Sequence, residues 1–238
     1  MKLYLHMTAR AVALAMALSL LTAPTFATGK APQWTGLHIG AHIGYGTADT
    51  DTAIGVDPTI MPAGISFDGL SATGAEVGGS LGYDVRLPNS PFVIGVFGDW
   101  SWRDLDHTTS LTLGPLSASA SLSIEDAWTI GGRAGYLLND STLLYALVGY
   151  RQASMSSLKL SADGIGATSF GVGDLKGWTV GGGLETQLSG GWALRGEYRF
   201  TRYDGQSVEL IPGALALDLD TDEHVARLGA VWRLSIFE

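Results

Sequence analysis

KGWTVGGGLETQLSGGWALRGEYR, residues 176 to 199, is the stretch whose reading decides the fold. Alternate positions separate two chemistries. Trp178, Val180, Gly182, Leu184, Trp192, Leu194, Gly196, Tyr198 and the following Phe200 fall in one phase, and Thr179, Gly181, Gly183, Glu185, Arg195, Glu197 and Arg199 in the other. A period of two in both halves predicts two strands, and Ser189-Gly190-Gly191 between them predicts a tight turn. Antiparallel strands that share a face then set Leu188 opposite Trp192, Glu185 opposite Arg195 and Gly183 opposite Glu197. One face is apolar with aromatic ends, and the other mixes glycine with opposite charges.

Alternation alone does not say which face meets solvent, because any half-solvated antiparallel sheet alternates. Glycine separates the cases. On a water-facing surface glycine only weakens a strand, whereas inside a narrow barrel it makes room for arginine and glutamate side chains crossing from neighbouring strands. The charged face is therefore read as lumen and the apolar face as lipid-facing, the arrangement of a transmembrane β-barrel.

The rest of the chain repeats the pattern. A first strand over about Trp34 to Gly46 alternates Leu37, Ile39, Ala41, Ile43 and Tyr45 with Gly36, His38, Gly40, His42 and Gly44. A second sets Val77, Leu81 and Tyr83 against Glu76 and Asp84, and a third sets Phe92, Ile94, Val96, Trp100 and Trp102 against Phe97 and Asp99. A fourth puts Arg133 inward, a fifth over about Thr142 to Gln152 is apolar in both phases, and an eighth puts Arg227 and Arg233 inward. In the fifth, a three-residue turn before it predicts Leu144, Ala146, Val148 and Tyr150 outward with Arg151 inward. Long connections (about 47–71, 103–123, 153–175 and 201–222) alternate with short ones, the pattern of an up-and-down barrel with long extracellular loops. The second of these keeps alternating, as LTLGPLSASASLSI, which predicts a hairpin continuing strands three and four beyond the bilayer. Aromatics fall into two belts: Trp34, Tyr83, Phe92, Tyr136, Trp192 and Trp232 near the short turns, and Tyr45, Trp100, Trp128, Tyr150, Trp178 and Phe200 near the long loops. Two such girdles are what a bilayer selects for.

GWTVGGGLE followed by WALRGEYRF resembles the sixth and seventh strands of the small outer-membrane β-barrel proteins of alphaproteobacteria, the porin-like or outer-membrane immunogenic proteins, which are similar to the OmpA transmembrane barrel. WTGLHIGAHIGYG, FVIGVFGDWSW, GGRAGYLL and ARLGAVWRL carry the same resemblance in the same order. It implies an all-β, eight-stranded antiparallel up-and-down barrel in the outer membrane of a Gram-negative cell, in contact with lipid and lipopolysaccharide and inserted by the barrel-assembly machinery. It also implies a carboxylate where this chain has Phe97, so a thinner lumenal charge network is expected. The C-terminal aromatic of such barrels falls on Leu234 by pattern, with Phe237 as a shifted alternative.

The 238 residues suit one such domain. A net charge of −9 without basic clusters argues against nucleic acid, and the absence of cysteine excludes disulfides and cysteine-based sites. Lys2 and Arg10 precede the apolar run Ala11 to Leu21 and the small-residue exit Thr25-Phe26-Ala27, so residues 1–27 read as a secretory signal peptide and 28–238 as the barrel.

The chemistry expected inside is a structural charge network of Glu76, Asp99, Arg133, Glu185, Arg195, Glu197, Arg199 and Arg227, with Asp84 beside it. Buried ions of both signs should pair across strands, and eight strands leave an interior only about wide enough for side chains. No cofactor and no metal site are expected. His38 and His42 share a face but lie roughly 13 Å apart along a strand, too far for one metal ion. Asp218, Asp220 and Asp222 lack the glycine and distal glutamate of a calcium loop and read as a solvated acidic rim. His107 and His224 are placed near the outer leaflet, where a lipid-modifying enzyme would need a histidine, but no nucleophile motif accompanies either. The expected role is non-enzymatic: structure and surface interaction, with an extracellular protein partner possible through the loops. A porin-like narrow channel is the main alternative, and a lipid-modifying enzyme or a soluble lipocalin-like carrier are lesser ones.

Overall fold

The computed structural model describes residues 34–56, 65–113, 116–155, 158–162, 166–170, 174–211 and 215–234. The expected signal peptide and the tail Ser235 to Glu238 lie outside the described residues. Every described element is a strand: β1 (Gly36–Val56), β2 (Ile65–Arg86), β3 (Phe92–Leu113), β4 (Leu116–Asn139), β5 (Thr142–Met155), β6 (Leu158–Ala162), β7 (Gly166–Phe170), β8 (Leu175–Gln187), β9 (Trp192–Tyr203), β10 (Gln206–Ile211) and β11 (Leu215–Leu234).

Eight of them form a closed antiparallel wall in the order β1-β2-β3-β4-β5-β8-β9-β11, and β11 closes the cylinder by pairing with β1 from Leu37–Leu234 to Val56–Leu215. Closure removes the sheet edges that a bilayer could not satisfy. The turns at one end are tight. Between β8 and β9, Gly190 and Gly191 take φ of 69° and 82°, a left-handed geometry that glycine adopts without a Cβ penalty. That turn sets Glu185 opposite Arg195 and Gly183 opposite Glu197, the register expected from the sequence, while the Leu188 amide donates to the Trp192 carbonyl at 2.7 Å.

Outward positions are apolar and bare. Ile43 and Val96 each keep 63% of their surface exposed, and Leu144, Val148 and Tyr150 point out from β5 as its turn predicted. The outward rings meet across strands: Phe92 with Tyr136 (5.5 Å between centroids) and Trp192 with Trp232 (6.4 Å) near the short turns, Trp128 with Tyr150 (5.7 Å) and Trp178 with Phe200 (5.8 Å) near the other end. From Phe92 to the outward Trp102 the strand advances about 33 Å, which at a tilt of roughly 40° is about 25 Å along the barrel axis, the height of the apolar band of such walls. One expected girdle member is not there. Trp34 is 1% exposed and turned inward, where its indole donates to the Asp140 carbonyl at 2.8 Å and the Arg233 guanidinium sits 4.6 Å from its ring centroid.

Beyond the second girdle the wall continues, which corrects the first long connection: β1 runs on to Val56 and β2 starts at Ile65, so most of 47–71 is strand. The β3–β4 hairpin extends as its alternation predicted. Above Ala75–Asp104 no pairing joins β2 to β3 among the described residues, and β8–β9 pairing ends at Gly177–Tyr203. β6 pairs with β4 and β7 with β6, while β10 pairs with β11. The cylinder thus divides at two opposite seams into two four-stranded leaves, β10-β11-β1-β2 and β3-β4-β6-β7.

Candidate functional site

The lumen is built in large part by placing glycines across from large side chains. His38 pairs with Gly82, His42 with Gly78, Glu76 with Gly44, Tyr145 with Gly183, Arg199 with Gly181 and Arg195 with Gly229. A Cβ on Gly82 would stand 2.5 Å from the His38 ring, and one on Gly78 would stand 2.8 Å from that of His42. The lumenal glycines are the space into which these side chains lie.

At the short-turn end an apolar plug fills the bore: Trp34, Val93, Leu137 and Leu143 with Tyr145, Leu147 and Phe97 above them. A first charged layer follows, centred on Glu185 and Asp84, both fully buried. Glu185 accepts from Arg195 Nε and Nη2 (2.9 and 2.7 Å), Arg133 Nη1 (3.1 Å) and Arg233 Nε and Nη2 (2.9 and 2.5 Å). Asp84 accepts from Arg133, and from Arg233 Nη2 at 2.9 Å. His38 Nε2 lies 3.1 Å from Arg133 Nη2.

A second layer lies toward the leaves and balances four arginines against four carboxylates. Arg199 donates to Glu197 (2.5 Å) and Asp99 (2.7 Å), and Arg227 to Glu76 and to Asp99 (3.1 Å). Arg103 grips both oxygens of Glu223 (2.7 and 2.6 Å) and reaches Glu76 at 2.7 Å. Arg151 donates to the Thr129 hydroxyl (2.8 Å) and stands 3.6 Å from Glu223. The hydroxyls of Tyr145 and Tyr203 cap the set, each donating at 2.6 Å to Glu197 and Glu223 respectively. All eight residues expected in the lumen are thus brought into this one interior.

The network is denser than the resemblance implied. Phe97 stands where a carboxylate was expected, yet its ring receives Arg199 face-on at 5.2 Å. Sequence reasoning missed Arg103 and Tyr203 because they fall in stretches read as loops, and Glu223 because it lies at the boundary of one. Their phase was the available signal, since Ser101 and Arg103, or Glu223 and Arg227, continue the inward alternation. Between the layers a cavity of about 20 Å³ remains beside His42, and another of about 10 Å³ lies beside Glu76.

Outside the lumen, His224 Nδ1 lies 2.7 Å from the Tyr198 hydroxyl and its ring packs on Phe200 at 4.9 Å, on the outer surface near the second girdle. The side chains of His107 and Asp218 lie outside the described residues. Asp222 accepts from Arg202 Nε and Nη2 at 2.8 and 2.7 Å, and this guanidinium holds its carboxyl below the usual carboxylate range. Asp49 sits opposite Asp222, and Asp51 opposite Asp220, in the β1–β11 ladder.

Comparison with known proteins agrees with this architecture. Residues 13–233 match the family model described as outer membrane protein beta-barrel domain. The 31 kDa outer-membrane immunogenic protein of Brucella melitensis is 24% identical over 212 residues, covering 87% of each chain. The 25 kDa outer-membrane immunogenic protein of Brucella canis is 28% identical over 207 residues, covering 84% of this chain and 80% of its own. Among solved structures, the outer membrane protein OprG of Pseudomonas aeruginosa aligns with a TM-score of 0.48 at 12% identity, over 86% of this chain and 99% of that one. With its closed wall, two girdles and a family match over most of its length, the chain belongs to the outer membrane protein beta-barrel domain family and resides in the Gram-negative outer membrane.

Proposed function

We propose that this barrel is a non-enzymatic anchor and surface-interaction protein, whose lumen is structural filling and whose specificity resides above the membrane. The observation that carries this reading is the filled bore. An apolar plug and two cross-linked charged layers succeed one another, and the spaces of about 20 and 10 Å³ between the charges are of water size. Each charge is held by bonds that would have to break together for a solute to pass, and breaking one partner from a buried pair strands the other.

The two leaves supply the interaction half of the reading. Among the described residues each ends in strands with an unpaired edge, and such edges above a membrane are templates for an extended segment of another chain. We assign an extracellular protein partner to the leaves. Lipid, with lipopolysaccharide on the outer side, is placed on the apolar wall, and insertion of that wall is assigned to the barrel-assembly machinery. Liposome swelling with purified protein and small sugars tests the proposal. No swelling above that of empty liposomes is expected, and size-dependent sugar uptake would replace it with the porin-like reading.

A further inference from the structure

The two charged layers do not balance. The layer at the leaf end sets four arginines against four carboxylates, but the layer below it sets Arg133, Arg195 and Arg233 against Asp84 and Glu185 alone. Among the described lumenal residues one positive charge is therefore in surplus. It lies behind the apolar plug on one side and the balanced layer on the other, and a sealed interior tolerates an uncompensated ion poorly.

The roughly 20 Å³ cavity lies where the two layers meet: Arg195, Arg199 and Arg227 line it with Asp99 and Glu197, while Glu185 and Glu76, which hold Arg195 and Arg227, stand outside its lining. Each oxygen of both carboxylates is already engaged. Asp99 Oδ1 and Oδ2 accept from Arg227 Nη1 and Arg199 Nη1, and Glu197 Oε1 and Oε2 accept from Arg199 Nε and the Tyr145 hydroxyl. Arg227 Nη2 and His42 Nε2 are left buried without a hydrogen-bond partner, the Glu76 Oε1 nearest to His42 Nε2 standing off at 4.0 Å, although the Arg227 side chain is only 4% exposed. Ser80 adds a hydroxyl to the same lining.

We infer that this cavity is a binding site for one small monovalent anion of chloride size, held by the Arg227 guanidinium with His42 and neutralising the surplus arginine of the lower layer. A water molecule would satisfy the two idle nitrogens but not the charge. A cation is repelled, and an oxyanion as large as phosphate does not fit the space. The inference is independent of whether the leaves bind a partner, because it rests on the charge balance of the lumen alone.

The test uses the full-length barrel refolded from urea into detergent in sodium chloride, sodium bromide or sodium gluconate at matched ionic strength, so that general screening is equal. Gluconate is too large for the cavity. Chloride at about ten times its Kd should raise the ratio of folded to unfolded protein about tenfold over gluconate. Crystals grown from bromide should show one anomalous peak within hydrogen-bonding reach of Arg227 Nη2. In Arg195→Gln, which removes the surplus charge, the difference between chloride and gluconate should vanish. If that variant does not refold, the native chloride-to-gluconate ratio and the bromide peak decide the matter by themselves. Equal folding in all three salts, or a cavity that holds only water in bromide crystals, overturns the site.

Discussion

Arg103 on β3 holds both carboxylate oxygens of Glu223 on β11, at 2.7 and 2.6 Å, across a barrel in which β2 and β1 separate those strands. The contact is a strut through the bore rather than a rung within the wall, with both side chains at most 2% exposed. A single Arg103→Met or Glu223→Gln change leaves the buried layer with one charge in excess and should cost up to about 3–5 kcal/mol of unfolding free energy. The double variant should cost clearly less than the sum of the two. Urea unfolding in lipid vesicles measures all four proteins, and additive losses would mean the strut is not formed.

Glu185 is the hub of the lower layer, accepting from three arginines, whereas Arg195 bonds Glu185 and belongs to a layer already rich in positive charge. Glu185→Ala should therefore destabilise more than Arg195→Ala. The pair should also show coupling in the double variant, measured by the same unfolding assay. Equal single losses that add would contradict both the register and the imbalance.

Gly78 and Gly79 are neighbours on one strand that face opposite sides. A Cβ on Gly78 meets the His42 ring at 2.8 Å, while one on Gly79 finds only the Gly40 carbonyl oxygen at 3.6 Å. Gly78→Ala should cost about 1–3 kcal/mol through overpacking, and Gly79→Ala should be nearly neutral. Thermal unfolding in detergent separates them, and the reverse order would invert the assigned faces.

These facings are legible in the sequence because a period of two is hard to mimic and a lipid-facing wall amplifies it. The β8–β9 register was legible too, since a short glycine turn fixes it. Trp34 was misread for an instructive reason: it shares the inward phase of His38 and His42, but its indole chemistry suggested the girdle. Arg103 and Glu223 were hidden by composition, because polar surroundings at strand ends look like loop even where alternation persists. The convergence of arginines on Glu185 from β4, β9 and β11 was not legible at all. It depends on barrel diameter and shear, which no local pattern encodes.

At the rim, Arg202 keeps the Asp222 carboxyl below its ordinary pKa. A depressed folded-state value contributes stability above the ordinary carboxylate range of about 3.9, and this is lost as pH falls through the depressed value. The exposed position of the pair makes the contribution small. Carboxyl NMR titration should show Asp222 returning to the ordinary range in Arg202→Gln, and an unmoved titration would show that the ion pair is not populated.

The bore is closed by its own side chains. Single-channel recording of the purified protein in planar bilayers tests it most directly. No stable openings are expected in the native protein and at most brief, minute events, with conductance gained when the plug and the strut are removed together in Trp34→Ala/Arg103→Ala. Large, long-lived, ion-selective channels from the native protein would contradict it.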